Sequence, residues 1–246
     1  MMLDIKKISK SFGGVRAVKN STFGIEKNRI TGLIGPNGAG KTTLFDIITG
    51  VISADKGKIK LNKEGLLGKR TSKIADMGIS RTFQQVRLFT NLTIRDHLYM
   101  AMDHDDTKIL KNIFGSHKRK KEKEKKAIEI LESIGLKKSL DAYAGDLSYG
   151  QRKLLDLGMA LVKPHKILML DEPVAGVNPK IRKDIKKILK TLKKNGATIL
   201  IIEHDMDFIM DICDRIIVLD VGSVLVEGTP KKIQNNKKVL EAYLGE

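Results

Sequence analysis

Cysteine is nearly missing from this chain: Cys213 is the single one among 246 residues, which excludes an internal disulfide. Its neighbours are apolar, so a buried thiol is expected rather than a reactive one. Aromatic side chains make up only 4%, and stacking platforms for single-stranded nucleic acid are correspondingly scarce. No uninterrupted apolar run approaches the ~20 residues that a membrane span needs. The first residues, Met1-Met2-Leu3-Asp4-Ile5-Lys6-Lys7, have no apolar core of signal-peptide length. The expectation is a cytosolic protein without a leader or span, whose link to any membrane is made through a partner.

Acidic residues are also in short supply. Asp and Glu number 29 against 46 Lys and Arg, a formal net charge of +17. Such a balance attracts acidic partners: nucleic acid, anionic lipid headgroups or a nucleotide. The basic residues recur all along the chain, and a lysine-rich solvated surface accounts for them without a nucleic-acid groove. A hydrophobic content of 41% is ordinary for a globular protein. The length suits one large α/β domain, or a core with a subdomain.

What is present centres on Gly35-Pro36-Asn37-Gly38-Ala39-Gly40-Lys41-Thr42, which fits the phosphate-loop pattern G-x-x-x-x-G-K-[ST]. Three glycines let successive N–H groups turn inward toward phosphate oxygens. Lys41 supplies a compact cation, and the Thr42 hydroxyl can ligate Mg²⁺. Ile30–Ile34 reads as a buried strand leading into the loop. A helix over Thr43–Ile48 puts its positive dipole end at the phosphates. The pattern implies a nucleoside triphosphate and Mg²⁺, and is silent on how the energy is used.

The rest of the chain alternates strands with helices. Leu3–Ile8, Val15–Ile25 and Gly57–Leu61 suggest an antiparallel layer beside the nucleotide site, with Lys10–Gly14 as a turn. Lys166–Asp171, Thr198–Ile202, Arg215–Leu219 and Ser223–Val226 suggest a largely parallel sheet. Pro179–Lys194 is an amphipathic helix whose stripe is Ile181, Ile185, Ile188, Leu189 and Leu192. Residues 87–148 form a helical insertion in a core of 1–86 and 149–246. Thr93 caps its first helix, and Gly135 stops the helix that follows the charge run Lys118–Lys126.

Four further candidate residues lie in this framework. Asp171 and Glu172 end a parallel-type strand, where ligands of such sheets bind. Asp171 suits a Mg²⁺ partner, and Glu172 can take a proton from an attacking water. His204, at the end of another core strand, can reach the γ-phosphate. Gln84 sits where the core gives way to the insertion and can position Mg²⁺ or water.

Leu147-Ser148-Tyr149-Gly150-Gln151 resembles the signature of ATP-binding cassette ATPases, usually Leu-Ser-Gly-Gly-Gln. With the phosphate loop, Gln84, Asp171-Glu172 and His204 in order, the resemblance covers the chain nearly end to end. It implies an α/β cassette fold, ATP hydrolysis, and a head-to-tail homo- or heterodimer with two ATPs between partners. Ser148, Gly150 and Gln151 would face the nucleotide held by the other subunit. Phe12 would stack on adenine, and Thr43 would join the phosphate contacts.

Arg81-Thr82-Phe83-Gln84, Ala175-Gly176-Val177-Asn178-Pro179, Glu203-His204-Asp205-Met206, Glu227-Gly228-Thr229-Pro230 and Ala242-Tyr243-Leu244-Gly245-Glu246 resemble the ATPases of branched-chain amino acid importers. That implies transmembrane permeases as partners, met through Arg87-Leu88-Phe89, a substrate-binding protein at one remove, a place on the cytoplasmic face of the membrane, and no specific nucleic acid. Tyr149 in place of a glycine and Asn178 in place of an aspartate depart from the general cassette pattern, and those two contacts are not carried over. Urea or amide importers, lipopolysaccharide exporters and soluble cassettes acting on nucleic acid are the alternatives.

Overall fold

The structure, a computed structural model, describes residues 1–102 and 116–244, with only the backbone of residues 116–119 and 244 described. Gly245 and Glu246 of the expected ending, and residues 103–115 of the expected insertion, lie outside the described residues. The chain forms two compact units, Met1–Arg81 with His165–Ala175 and Leu189–Glu246, and Thr82–Pro164 with Gly176–Ile188.

The first unit carries two sheets. One is antiparallel, with β1 (Leu3–Phe12) between β2 (Val15–Ile25) and β4 (Lys56–Leu61), and β5 (Glu64–Gly65) at its edge. The turn is tighter than the expected Lys10–Gly14. Strand β1 runs through Phe12, and only Gly13 and Gly14, both at positive φ, make the bend, as a two-residue hairpin turn requires.

The six-stranded sheet is ordered β10-β9-β3-β8-β7-β6, from β3 (Ile30–Ile34), β6 (Ile79–Arg81), β7 (Ile167–Asp171), β8 (Ile199–Ile202), β9 (Arg215–Asp220) and β10 (Ser223–Gly228). All are parallel except β10, which pairs antiparallel with β9. Every residue of β3, β7 and β8 is buried. This explains their unbroken apolar runs, since a parallel strand covered on both faces has no polar alternation.

Helix α1 (Lys41–Ile48) begins at Lys41, two residues ahead of the expected start. Its Leu44, Phe45, Ile47 and Ile48 share one core with Ile5, Phe23 and Ile59 of the small sheet and Leu33, Met169, Leu200 and Ile217 of the large one. Burying a side chain of this size contributes about 1.5–3 kcal/mol, so α1 and the loop before it are anchored from both sheets. Short helices α2 (Thr71–Asp76), α7 (Met206–Ile212), α8 (Pro230–Gln234) and α9 (Lys237–Leu244) complete the unit.

The second unit contains α3 (Ile94–Met102), α4 (Ser116–Ser133) and α5 (Tyr149–Leu161). Thr93 caps α3 reciprocally: its Oγ1 accepts from the Asp96 N–H at 3.1 Å, and its own N–H donates to Asp96 Oδ2 at 2.9 Å. Gly135, at φ 65, follows the end of α4 as expected. Part of the charge run is structural. Glu124 accepts from Arg95 Nη1 at 2.8 Å, and Lys123 lies over the Tyr99 ring, whereas Lys120, Lys121, Lys125 and Lys126 are exposed. Helix α6 spans the expected Pro179–Lys194.

Candidate active site

In the first unit, strand register sets the site. Leu33 of β3 and Asp171 of β7 both stand opposite Ile202 of β8. The three neighbouring strands therefore end level, and their loops emerge at one edge: the phosphate loop, Glu172 and His204. Gly35 and Gly40 are needed for close approach. A Cβ there would lie 2.1 Å from the Leu219 carbonyl oxygen and 2.3 Å from that of Ala17. The Ala17 contact sets the small sheet directly against the loop. Gly40 also caps α1 in the left-handed conformation.

Lys41 is buried, and its Nζ donates to the Gly35 and Pro36 carbonyls at 2.7 and 2.8 Å. A buried ammonium needs such acceptors. Phosphate oxygens arriving in the loop would replace two neutral carbonyls with stronger, charge-assisted partners. Thr42 is exposed, as are Asn37 and Gly38, whereas Ala39 is buried and Pro36 and Thr43 are partly so. Phe12 is 47% exposed at the end of β1. The Lys10 ammonium lies 5.3 Å from its ring centroid and is held by Asp55 at 2.9 Å. An exposed aromatic face beside a cation suits stacking on a base.

Asp171 is held by a partner whose role no sequence motif announces. Arg81, at the end of β6, donates to Asp46 Oδ1 at 2.6 Å and to Asp171 Oδ2 at 3.1 Å. Its guanidinium therefore joins the phosphate-loop helix to the end of β7. Burial pushes the Asp171 carboxyl above its ordinary value, and Arg81 opposes that shift. Glu172 follows at φ 50, in the left-handed region. A non-glycine residue held there stores strain of order 1–3 kcal/mol. In that conformation its Oε1 lies 2.8 Å from His204 Nε2.

Glu203 holds this pair in place. It is buried, and its Oε1 accepts from the Val174 N–H at 2.8 Å and its Oε2 from the His204 N–H at 3.1 Å. Burial raises its pKa, and these backbone donors pull it back. The loop after Glu172 and the loop bearing His204 are thus tied through one carboxylate. Arg81 and Glu203 fell inside quoted motifs, but nothing local marks either as an anchor.

In the second unit, Ser148 caps α5 through a capping box. Its Oγ accepts from the Gln151 N–H at 3.4 Å, and Gln151 Oε1 accepts from the Ser148 N–H at 3.0 Å. Arg152 clamps the preceding turn by donating to the Leu147 and Gly145 carbonyls at 3.0 and 2.9 Å. Gly150 meets Ile181 of α6, where an added Cβ would lie 2.9 Å from Cγ1. Gln84 is exposed, and its carbonyl accepts from Lys153 Nζ at 3.0 Å.

The residues suit the groups that the motifs imply. Among the described residues, no group of three or more His, Cys, Asp or Glu could hold a metal ion. A hydroxyl and one carboxylate, completed by phosphate oxygens, match the way Mg²⁺ is held with nucleotides. Cys213 is buried, with its thiol pushed far up by desolvation, and takes no part.

Comparison with known proteins agrees with this geometry. The family described as ABC transporter matches residues 18–175, and that described as branched-chain amino acid ATP-binding cassette transporter matches residues 223–246. The high-affinity branched-chain amino acid transport ATP-binding protein BraF of Pseudomonas aeruginosa is 38% identical over all of this chain and 98% of its own. LivG of Escherichia coli strain K12, which carries the same description, is 39% identical with the same coverage. A nucleotide-free ATP-binding cassette from an ABC transporter superposes with a TM-score of 0.87 at 33% identity, over 100% of this chain and 99% of that one. A cassette in its ADP conformation gives 0.87 at 34% identity with the same coverage. Likeness along the whole chain, in sequence and in fold, shows that the chain belongs to the ATP-binding cassette transporter family, in its branched-chain amino acid group.

Proposed function

We propose that this chain is the ATP-hydrolysing subunit of an importer for branched-chain amino acids, driving membrane permeases that carry the substrate. The observation that carries the ATPase reading is the Glu172–His204 pair, 2.8 Å apart, at the sheet edge that also bears the phosphate loop and Asp171. The importer reading rests on the likeness to BraF and LivG along the entire chain.

ATP with Mg²⁺ supplies, when bound, the phosphoanhydride bond and a counter-charge for its oxygens. Lys41 and the loop residues Gly35, Pro36, Asn37, Gly38, Ala39, Gly40 and Thr43 bind the phosphates, and Phe12 stacks on the adenine. Thr42 and Asp171 would hold the metal, and Gln84, by the motif it belongs to, would serve the same nucleotide. Glu172 takes a proton from the attacking water, with His204 fixing the direction of its carboxylate. Ser148, Gly150 and Gln151 face the nucleotide of a second cassette in a homo- or heterodimer.

The second unit, which contains the expected insertion, is the part that meets the permeases. Phe89 is 61% exposed there. Among the described residues, no helix is long and apolar enough to cross a membrane; attachment at its cytoplasmic face runs through the permeases. A substrate-binding protein acts at one remove, and nucleic acid has no specific part.

The test is purification from membranes with associated subunits, followed by uptake of labelled leucine, isoleucine and valine into vesicles. ATP-dependent uptake of these three supports the reading. Uptake of urea or short amides alone, or ATPase activity that responds to nucleic acid and to no transport substrate, overturns it.

A further inference from the structure

A buried lysine in α5 has no part in the reaction as described. Lys153 is 4% exposed. Desolvating an ammonium is costly, and an alkyl side chain would fill the same space without that cost. Its surroundings compensate it. Its Nζ donates to the Gln84 carbonyl at 3.0 Å, across a sequence separation of 69. It lies 5.9 Å from the centroid of the Tyr149 ring, within cation–π range. Its charge also favours the ionised form of Asp156, one turn along the helix.

Tyr149 reaches a third segment. A Cβ on Gly176 would lie 3.2 Å from Tyr149 Cε1, and Gly176 sits at φ 70. The ring therefore packs against the loop that follows Glu172. A glycine at position 149, usual in the cassette signature, would provide neither the π face nor this contact.

We propose that Lys153 and Tyr149 are positioning residues for ATP hydrolysis, forming a relay that ties Gln84, the Ser148 end of α5 and the Gly176–Asn178 loop into one moving part. The proposal rests on the reading that Gln84 and Ser148 serve the nucleotide reaction. Both side chains spring from the first turns of one helix. A shift of the Gln84 peptide thus pulls on Lys153, and through the helix backbone on Ser148, while Tyr149 carries the same shift to Gly176. The relay sets the geometry of the reacting state and leaves ground-state nucleotide binding to the phosphate loop and Phe12.

The experiment uses the full chain with ATP and Mg²⁺. Lys153→Met is expected to lower kcat about tenfold while KM for ATP stays within about twofold, the size typical of coupling between contacting groups. Lys153→Arg, which keeps a cation, restores most of kcat. Tyr149→Leu shows the same split, and the double variant is no worse than the poorer single one, because the two act in series. Hydrogen exchange gives a readout that a purely structural role would not move. In wild type, ATP protects residues 84–88 and 176–178 together; in Lys153→Met the first segment is still protected and the second is not. Unchanged kcat, losses that multiply in the double variant, or joint protection retained in Lys153→Met would overturn the relay. If Lys153→Met fails to fold, Tyr149→Leu decides by the same criteria. Glu172→Gln is the control: hydrolysis surviving in it would mean that the assignment of Glu172 as the base, not the relay, had failed.

Discussion

In the proposed reaction Glu172 is the residue on which the chemistry turns, and its backbone shows the cost. At φ 50, the left-handed glutamate places its carboxylate 2.8 Å from His204 Nε2. Glutamine has the same shape and cannot accept the proton. Glu172→Gln is expected to bind ATP as wild type does and to lose ~10²–10⁴-fold in turnover, checked by calorimetry and by phosphate release. Wild-type turnover would show that the water is activated elsewhere. Arg81 is the second decisive residue. Its side chain is 6% exposed and that of Asp171 2%, and removing one member of a buried ion pair costs about 3–5 kcal/mol. Arg81→Met is therefore expected to shift the denaturant midpoint markedly, a larger effect than exposed ion pairs give.

At the scale of elements, two helices carry measurable consequences. In α5, burial pushes the Asp156 carboxyl up to about 6, with Lys153 opposing it. A carboxyl raised in the folded state contributes stability that is complete below its unfolded value and is lost as pH rises through the folded one. Wild type is thus expected to lose stability between about pH 4 and 6, and Asp156→Asn to lose less over that window, read from chemical denaturation at several pH values. Equal losses in both would place the proton elsewhere.

Helix α3 organises the segment Arg87-Leu88-Phe89, in which Arg87 and Phe89 are exposed. His97 is buried, and its Nε2 accepts from the Phe89 N–H at 3.0 Å. That leaves Nδ1 to donate to the Thr93 carbonyl at 2.8 Å, which defines a neutral tautomer. The backbone of Phe89 is pinned while its ring faces outward, as an anchor for a partner pocket would be. Phe89→Ala is expected to keep the ATPase of the isolated chain and to lose ATP-driven uptake in vesicles with the permeases. Intact uptake would move the docking surface elsewhere.

The net charge of +17 belongs to the whole molecule. Within α4, the lysines at 120, 121, 125 and 126 are exposed, and a solvated surface of this kind attracts any polyanion at low salt. Single-stranded DNA, duplex DNA and ribosomal RNA are expected to bind weakly, with an affinity that collapses at physiological salt, and to leave the ATPase rate unchanged. Specific stimulation that survives physiological salt would overturn the transporter reading.

Much of the fold and part of the site were legible along the chain because they obey local rules. The phosphate loop needs consecutive residues, and the buried strands β3, β7 and β8 betray themselves by unbroken apolar runs. Helix α6 carries its stripe at a period of 3.6 from Pro179 to Lys194. Other features had no local signal. Strand β6 has three residues, too few for a pattern, and is a strand only because β7 lies beside it. Arg81 finds its carboxylates 35 and 90 positions away, Glu203 reaches back 29 to Val174, and Lys153 meets Gln84 across 69. Sequence alone determined which groups could bind phosphate, metal and a proton. Tertiary structure decided which of them are held, and by what, because a buried charge is settled by partners brought to it through the fold rather than by its neighbours in the chain.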